Sequence, residues 1–372
     1  MKERYDVLIA GAGPAGAFAA TLLAKRGRSV ALVGVDDFPS TDHCGGWVNG
    51  RADDYFKTAG VKTRGLMSNG LKSIAFHNAD FSKTMVSKFD KVAGHLVDRT
   101  AFDRALIAAA VAAGADHQHS TTVTEIVPRE DSITLRLGDD RAVQGRVLIA
   151  ADGSGPLVAG QLGIAKPTAD RVVWRVQTEA ETNAETDTSK GLGVAVVLGP
   201  PTGRGFGYVF RKTESVVVGL SSPGDRRNVI DGFGTFWNAA KQNDLLPPGL
   251  KRPDDGVICH HTPAGGALDI ETHVGKHTVV IGDAGGFLSA VSNETVYPSM
   301  WSAEIAADVV HKALDRPNVQ DGLARFENRW RTTMADYLRM PNTDVQFLWP
   351  LVFVNQQMAD KMAAAFLTGE NI

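Results

Sequence analysis

The stretch Tyr5-Asp6-Val7-Leu8-Ile9-Ala10-Gly11-Ala12-Gly13-Pro14-Ala15-Gly16 decides the fold. Its first half is a short apolar run, the pattern of a strand buried on both faces. Its second half is Gly-x-Gly-x-x-Gly. Ala17 to Arg26 then reads as a helix stopped by Gly27, and Ser29-Val30-Ala31-Leu32-Val33 reads as a second strand. Strand, glycine turn, helix and strand within about 30 residues make a dinucleotide-binding unit. Gly11 permits the tight turn, Gly13 lets the backbone approach a pyrophosphate, and Gly16 lets the helix pack close to the strand. Ala15 stands in the helix N-terminus, whose free N–H groups and positive dipole end suit phosphates.

One element of the pattern is absent. An acidic side chain is expected at the end of the second strand, holding the adenosine ribose. Gly34 and Val35 stand there instead. Asp36 and Asp37 follow; either reaches back to the ribose, or both are turn residues. If neither substitutes, affinity is limited at this point, and Gly34→Glu is expected to tighten binding.

Composition narrows the class. The chain has 372 residues, 43% hydrophobic and 22% charged, which excludes global disorder. With 39 basic and 42 acidic side chains the formal charge is −3, without the footprint of a nucleic-acid binder, so no nucleic-acid partner is expected. Cys44 and Cys259 are the two cysteines. They make neither a disulfide framework nor a cysteine zinc site. No apolar run reaches the roughly 18–20 residues of a membrane span. The first strand begins near Arg4, which leaves no room for a signal peptide, so a cytoplasmic location is expected.

Further motifs say which dinucleotide is meant. Asp42-His43-Cys44-Gly45-Gly46-Trp47 follows the second strand. His95-Leu96-Val97-Asp98-Arg99-Thr100-Ala101-Phe102-Asp103-Arg104 opens a helix. Val147-Leu148-Ile149-Ala150-Ala151-Asp152-Gly153 and Val279-Val280-Ile281-Gly282-Asp283-Ala284-Gly285-Gly286 are buried strands ending in Asp-Gly and Gly-Asp-Ala. In this order the motifs resemble the FAD-dependent geranylgeranyl reductase family, within the broader class that includes para-hydroxybenzoate hydroxylase. The resemblance runs over nearly the whole chain.

The resemblance implies an α/β fold. It comprises a Rossmann-like FAD-binding domain, an inserted and mostly antiparallel β-sheet substrate domain, and a C-terminal helical segment. The expected boundaries are 1–167 and 263–320 for the two parts of the FAD-binding domain, 168–262 for the substrate domain and 321–372 for the C-terminal helices. It also implies roles. Arg99 contacts the cofactor, as do Gly45 and Gly46, Asp36 is the candidate at the ribose, and Asp152-Gly153 closes over the pyrophosphate. Gly282 and Asp283 meet the ribityl and pyrophosphate part. The glycine-rich backbone through Gly286, and the stretch Asn293-Glu294-Thr295, sit at the isoalloxazine. Cys44 is the candidate catalytic gate or proton-handling group, with His43 tuning its thiol. In that family Pro-x-x-Gly-Glu-Gly is found where this chain has Ala290-Val291-Ser292-Asn293-Glu294-Thr295. Asn293 and Thr295 therefore put side chains into the space above the ring or rotate the backbone, and the chain is a divergent member.

The middle of the chain changes texture. Strand patterns at 172–177, 193–198, 206–210 and 215–220, separated by turn signals, suggest the antiparallel sheet. Residues 228–246 look helical, with Phe233, Phe236 and Trp237 as a core face. His260-His261 is not a metal pair, since neighbours on a strand face opposite ways, and no metal site is expected. Residues 345–354 form an apolar aromatic stretch with two readings: packing against the sheet, or peripheral contact with a membrane or lipid-like substrate.

Three functions follow from the resemblance and its departures. The first is reduction of a C=C bond in a hydrophobic, prenyl-like substrate by hydride from reduced flavin. The second is monooxygenation of an aromatic group, free or borne on a protein. The third is a maturation or binding partner with weakened FAD binding. The chain has no second Gly-x-Gly-x-x-Gly, so electrons come from transiently bound NAD(P)H or from a protein partner.

Overall fold

The computed structural model describes residues 4–34, 45–67, 70–119, 121–155, 157–165, 172–182, 193–200, 203, 205–253, 258–263, 266–339 and 345–370. Arg4–Ala10 is the centre of the first sheet. Val30–Val33 lies parallel on one side and Ala142–Ala150 parallel on the other. Asp116–Gln118 extends the sheet beyond the former, and Thr278–Val280 beyond the latter, both also parallel. A hairpin, Val123–Pro128 with Ile133–Leu137, joins the start of Ala142–Ala150.

The central strand is buried on both faces, as its unbroken apolar run predicts. Val7 and Ile9 enter a core with Phe18, Phe102, Met300 and Trp330. That core is built from the helices Pro14–Lys25, Arg99–Ala112, Val296–Ala313 and Arg325–Leu338. Leu8 and Ala10 point the other way, to Leu135, Leu148, Val158 and Val280. Each fully buried large side chain of this kind contributes about 1.5–3 kcal/mol.

The second sheet has seven strands. Their order is Ile258–Pro263, Val172–Glu181, Ser215–Pro223, Phe206–Arg211, Val194–Leu198, Ser73–Asn78 and Thr84–Lys88. All neighbours are antiparallel except Val194–Leu198 with Ser73–Asn78. Two of its strands, Ser73–Asn78 and Thr84–Lys88, thus come from within 1–167, the expected first part of the FAD-binding domain. A parallel neighbour more than a hundred residues away leaves no local turn signal. The helix Arg226–Gln242 covers the outer face, and Phe233, Phe236 and Trp237 are buried against Val197, Val209 and Leu220.

The inner face is set by register. Arg175 lies opposite Ser221, and Ser221 opposite Phe206; Gln177, Gly219 and Tyr208 form the next row. A Cβ on Gly219 would collide with the Tyr208 ring. The bare backbone lets that ring cross the strand, so Tyr208 Oη donates to Gln177 Oε1 at 2.6 Å. The C-terminal helices divide between the two sheets. Phe326, Trp330 and Met334 enter the first core, while Trp349, Val352, Met362 and Phe366 pack on the inner face of the second sheet. The packing reading of 345–354 holds for Trp349 and Val352; Phe347 and Val354 stay 75% and 70% exposed. Among the described residues no helix is long and apolar enough to cross a membrane.

Candidate functional site

A cleft of about 430 Å³ opens at the carboxyl end of the first sheet. The glycine turn forms its floor. Gly11 has φ +104 and donates to the Val33 carbonyl at 2.8 Å. A Cβ on Gly11 would collide with the Ala151 carbonyl, and one on Gly16 with the Gly11 carbonyl. A Cβ on Gly13 would project into open space. Gly13 caps the helix Pro14–Lys25, whose N-terminus faces the cleft with Ala15.

Arg99 and Asp103 form one wall. Their side chains are 5% and 2% exposed and pair bidentately, Nη2 to Oδ2 at 3.0 Å and Nε to Oδ1 at 3.2 Å. Asp98 instead caps the helix, accepting from Ala101 N at 2.8 Å. Asp103 was not singled out in the sequence, although the Arg-x-x-x-Asp spacing puts both on one helix face. Thr121, Thr122 and Val123 also line the cleft and carried no sequence signal.

Asp152 and Gly153 stand opposite the glycine turn. Asp152 Oδ2 accepts from Val158 N at 2.8 Å, and burial pushes its carboxyl above the usual range. Asp283 sits in the turn Gly282–Gly285, partly buried at the wall of the cleft. Burial raises its pKa; the Arg99 and Arg175 guanidinium groups and the Ser299 and Thr295 hydroxyls pull it back. Ser299 Oγ donates to Asp283 Oδ1 at 3.3 Å. Thr295 precedes the helix Val296–Ala313, which brings a second N-terminus to the cleft.

The remaining expected residues fall elsewhere. Gly16 and Gly282 lie behind the lining, the latter packed on Ala15 and Ser299. Gly286 turns the chain at φ +70 against Gly266. Gly45 packs on Phe210 and Val217, and Gly46 beside Val97 and Lys212. Asp36, His43 and Cys44 lie outside the described residues.

Gly34 corrects one expectation. A Cβ there would lie 2.5 Å from Ala12 Cβ and 2.8 Å from Ala12 N. The seat of the missing acid is closed by the glycine turn itself, so an acid at position 34 strains the cradle.

Asn293 and Glu294 line a second, smaller cavity between the second sheet and the loop after Asp283. Its walls are Trp47, Phe206, Tyr208, Phe210 and Phe366, with Arg175 and Ser292 beside the loop. Asn293 has φ +54, so asparagine keeps the left-handed backbone that glycine takes readily. Its side chain enters the gap, with Nδ2 3.5 Å from Ser221 Oγ. Arg175 Nη2 donates to the Asn293 carbonyl at 3.2 Å.

The cleft suits a dinucleotide carrying a flavin. Two helix N-termini and the bare Gly13 backbone fit a pyrophosphate. Two buried polar atoms on its lining residues, Thr121 Oγ1 and Asp152 Oδ1, have no protein partner, as expected where a ligand completes them.

The comparisons agree. A family model described as "FAD binding domain" matches residues 4–233. An uncharacterised protein of Methanosarcina barkeri is 26% identical over 317 residues, covering 84% of this chain and 76% of that protein. A digeranylgeranylglycerophospholipid reductase of Methanococcus aeolicus is 26% identical over 340 residues, covering 89% and 83%. The solved structure of a geranylgeranyl bacteriochlorophyll reductase-like protein from Thermoplasma acidophilum superposes with a TM-score of 0.77 at 18% identity. It covers 100% of this chain and 94% of that one, and at this identity it shows the fold. The chain belongs to the FAD-binding-domain family and is an FAD-dependent oxidoreductase.

Proposed function

We propose that the protein reduces a C=C bond of a hydrophobic, prenyl-like substrate held between the second sheet and the loop at Asn293. The observation that carries this reading is the ring-lined cavity beside that loop, with a buried carboxyl group at its edge. Its rings exclude water and offer apolar contact. FAD, when bound, supplies the two electrons as hydride. The chain's own tasks are to hold the cofactor, orient the alkene and deliver a proton. The name of the Methanococcus aeolicus relative, a digeranylgeranylglycerophospholipid reductase, supports the same chemistry. Electrons reach the cofactor from transiently bound NAD(P)H or a protein reductant.

The cavity holds only about 10 Å³, room for about one water. A substrate must displace a wall, and Phe366 of the C-terminal helix Gln356–Thr368 is one such wall. The aromatic side chains that line the gap also suit a second reading, hydroxylation of an aromatic ring. Anaerobic mixing of reduced protein with citral, a prenyl-like α,β-unsaturated aldehyde, tests the first. Return of oxidised flavin absorbance supports it. No reoxidation by citral, alongside O₂-dependent hydroxylation of a phenol, overturns it.

A further inference from the structure

Glu294 is 2% exposed and lines the ring-walled cavity. Its Oε1 accepts from Tyr297 N at 2.9 Å, whereas its Oε2 is buried without a protein partner. A carboxylate oxygen in that position would forfeit its solvation, but a carboxylic acid there has a hydrogen to give. We propose that Glu294 is the acid of the substrate cavity, donating its Oε2–H to the carbonyl oxygen of an α,β-unsaturated substrate. This rests on the reductase reading and narrows its substrate class.

The surroundings keep the group neutral. Burial dominates and pushes the carboxyl up to about 8. The backbone N–H groups of Tyr297, Val296 and Asn49 pull it down, and the Asp283 carboxyl adds to the rise. The phenols of Tyr297 and Tyr337 face it from two helices, and burial holds both above the ordinary tyrosine range. Arg175 is the cationic residue that shares the cavity wall. A neutral carboxyl kept in a buried site to donate a hydrogen bond is a known way to stabilise a developing enolate.

The chemistry of a carboxyl group decides the substrate class. A carboxylic acid does not protonate the carbon of an isolated alkene. It does hydrogen-bond a carbonyl and protonate the enolate formed from it. Reduced flavin, when bound, would supply the hydride for the β-carbon, with the C=C electron pair moving onto the carbonyl oxygen. The Glu294 proton then reaches the α-carbon, by way of the enol, and solvent returns a proton to the carboxylate. Two electrons and two hydrogens are consumed, and oxidised flavin is left.

The test uses FAD-loaded protein and two ligands of similar shape, cinnamaldehyde and β-methylstyrene, of which only the first has a carbonyl. Infrared titration should show a protonated carboxyl band at neutral pH that is absent in Glu294→Gln and shifts on adding cinnamaldehyde. FAD content and reduction by dithionite are measured for both proteins, and rates are compared per bound, reduced flavin. Anaerobic reoxidation by cinnamaldehyde should slow about 100-fold in the variant. With wild-type protein, β-methylstyrene should reoxidise the flavin far more slowly than cinnamaldehyde. Equal reoxidation in wild type and Glu294→Gln, or equal rates with the two ligands, overturns the proposal. A wild type that neither ligand reoxidises counts against the reductase reading. The infrared shift then still decides the donor, and its absence overturns it.

Discussion

Gly34 gives the sharpest structural prediction, because sequence and structure point opposite ways there. The motif invites an acid at this position, whereas the geometry forbids any side chain. Carbon atoms pack favourably at about 3.5–4.0 Å. A Cβ on Gly34 would lie 2.5 Å from Ala12 Cβ, roughly 1 Å too close, and 2.8 Å from Ala12 N. Ala12 belongs to the glycine turn, so relief must move the phosphate cradle. Overpacking of this kind typically costs about 1–3 kcal/mol. Gly34→Ala and Gly34→Glu should both lower the urea unfolding free energy by that amount. Both should weaken FAD about tenfold, the equivalent of 1.4 kcal/mol. Gly13→Ala is the contrast: its Cβ meets nothing within 4 Å, so it should spare apoprotein stability while obstructing the phosphate. Denaturant titration and FAD binding by fluorescence measure both. Tighter FAD in Gly34→Glu at unchanged stability would refute the reasoning.

Glu294 should make stability pH-dependent. Its native pKa is raised from 4.5 to about 8, so the folded state holds the proton more tightly. About 5 kcal/mol present below pH 4.5 is then lost as pH rises through 8. Glu294→Gln should flatten that slope in urea titrations from pH 5 to 8, and parallel slopes would exclude it. Arg99→Ala strands the buried Asp103 carboxyl and should cost about 3–5 kcal/mol. Replacing both partners with apolar residues should recover most of that loss in the same assay. Asn293→Ala should lower stability by about 1–2 kcal/mol for its left-handed backbone, while Asn293→Gly should not. Thermal denaturation separates the two.

The cofactor half was legible because its signals are local. Gly11, Gly13 and Gly16 follow a strand and open a helix; Gly11 and Gly16 are required by close backbone contact, and Gly13 leaves open space for a phosphate. Asp152 and Asp283 end buried apolar runs in the same way. What the sequence hid is set by tertiary contact. The parallel pairing of Ser73–Asn78 with Val194–Leu198 joins segments with no turn between them. Asp103 shows its role only once its side chain is seen buried beside Arg99. Arg175 reads as an ordinary strand residue until its register sets it beside Asn293. Glu294 was legible as a retained family residue, but its free oxygen depends on burial under the Phe206–Tyr208–Phe210 face.

The central claim is that the protein adds two hydrogens across a C=C bond. A single turnover of reduced, FAD-loaded protein with a hydrophobic α,β-unsaturated ketone in D₂O, analysed by mass spectrometry, tests it most directly. The account predicts an anaerobic product carrying deuterium at both former alkene carbons, with oxidised flavin formed in equal amount. A product that forms only with O₂ and is heavier by one oxygen would contradict it.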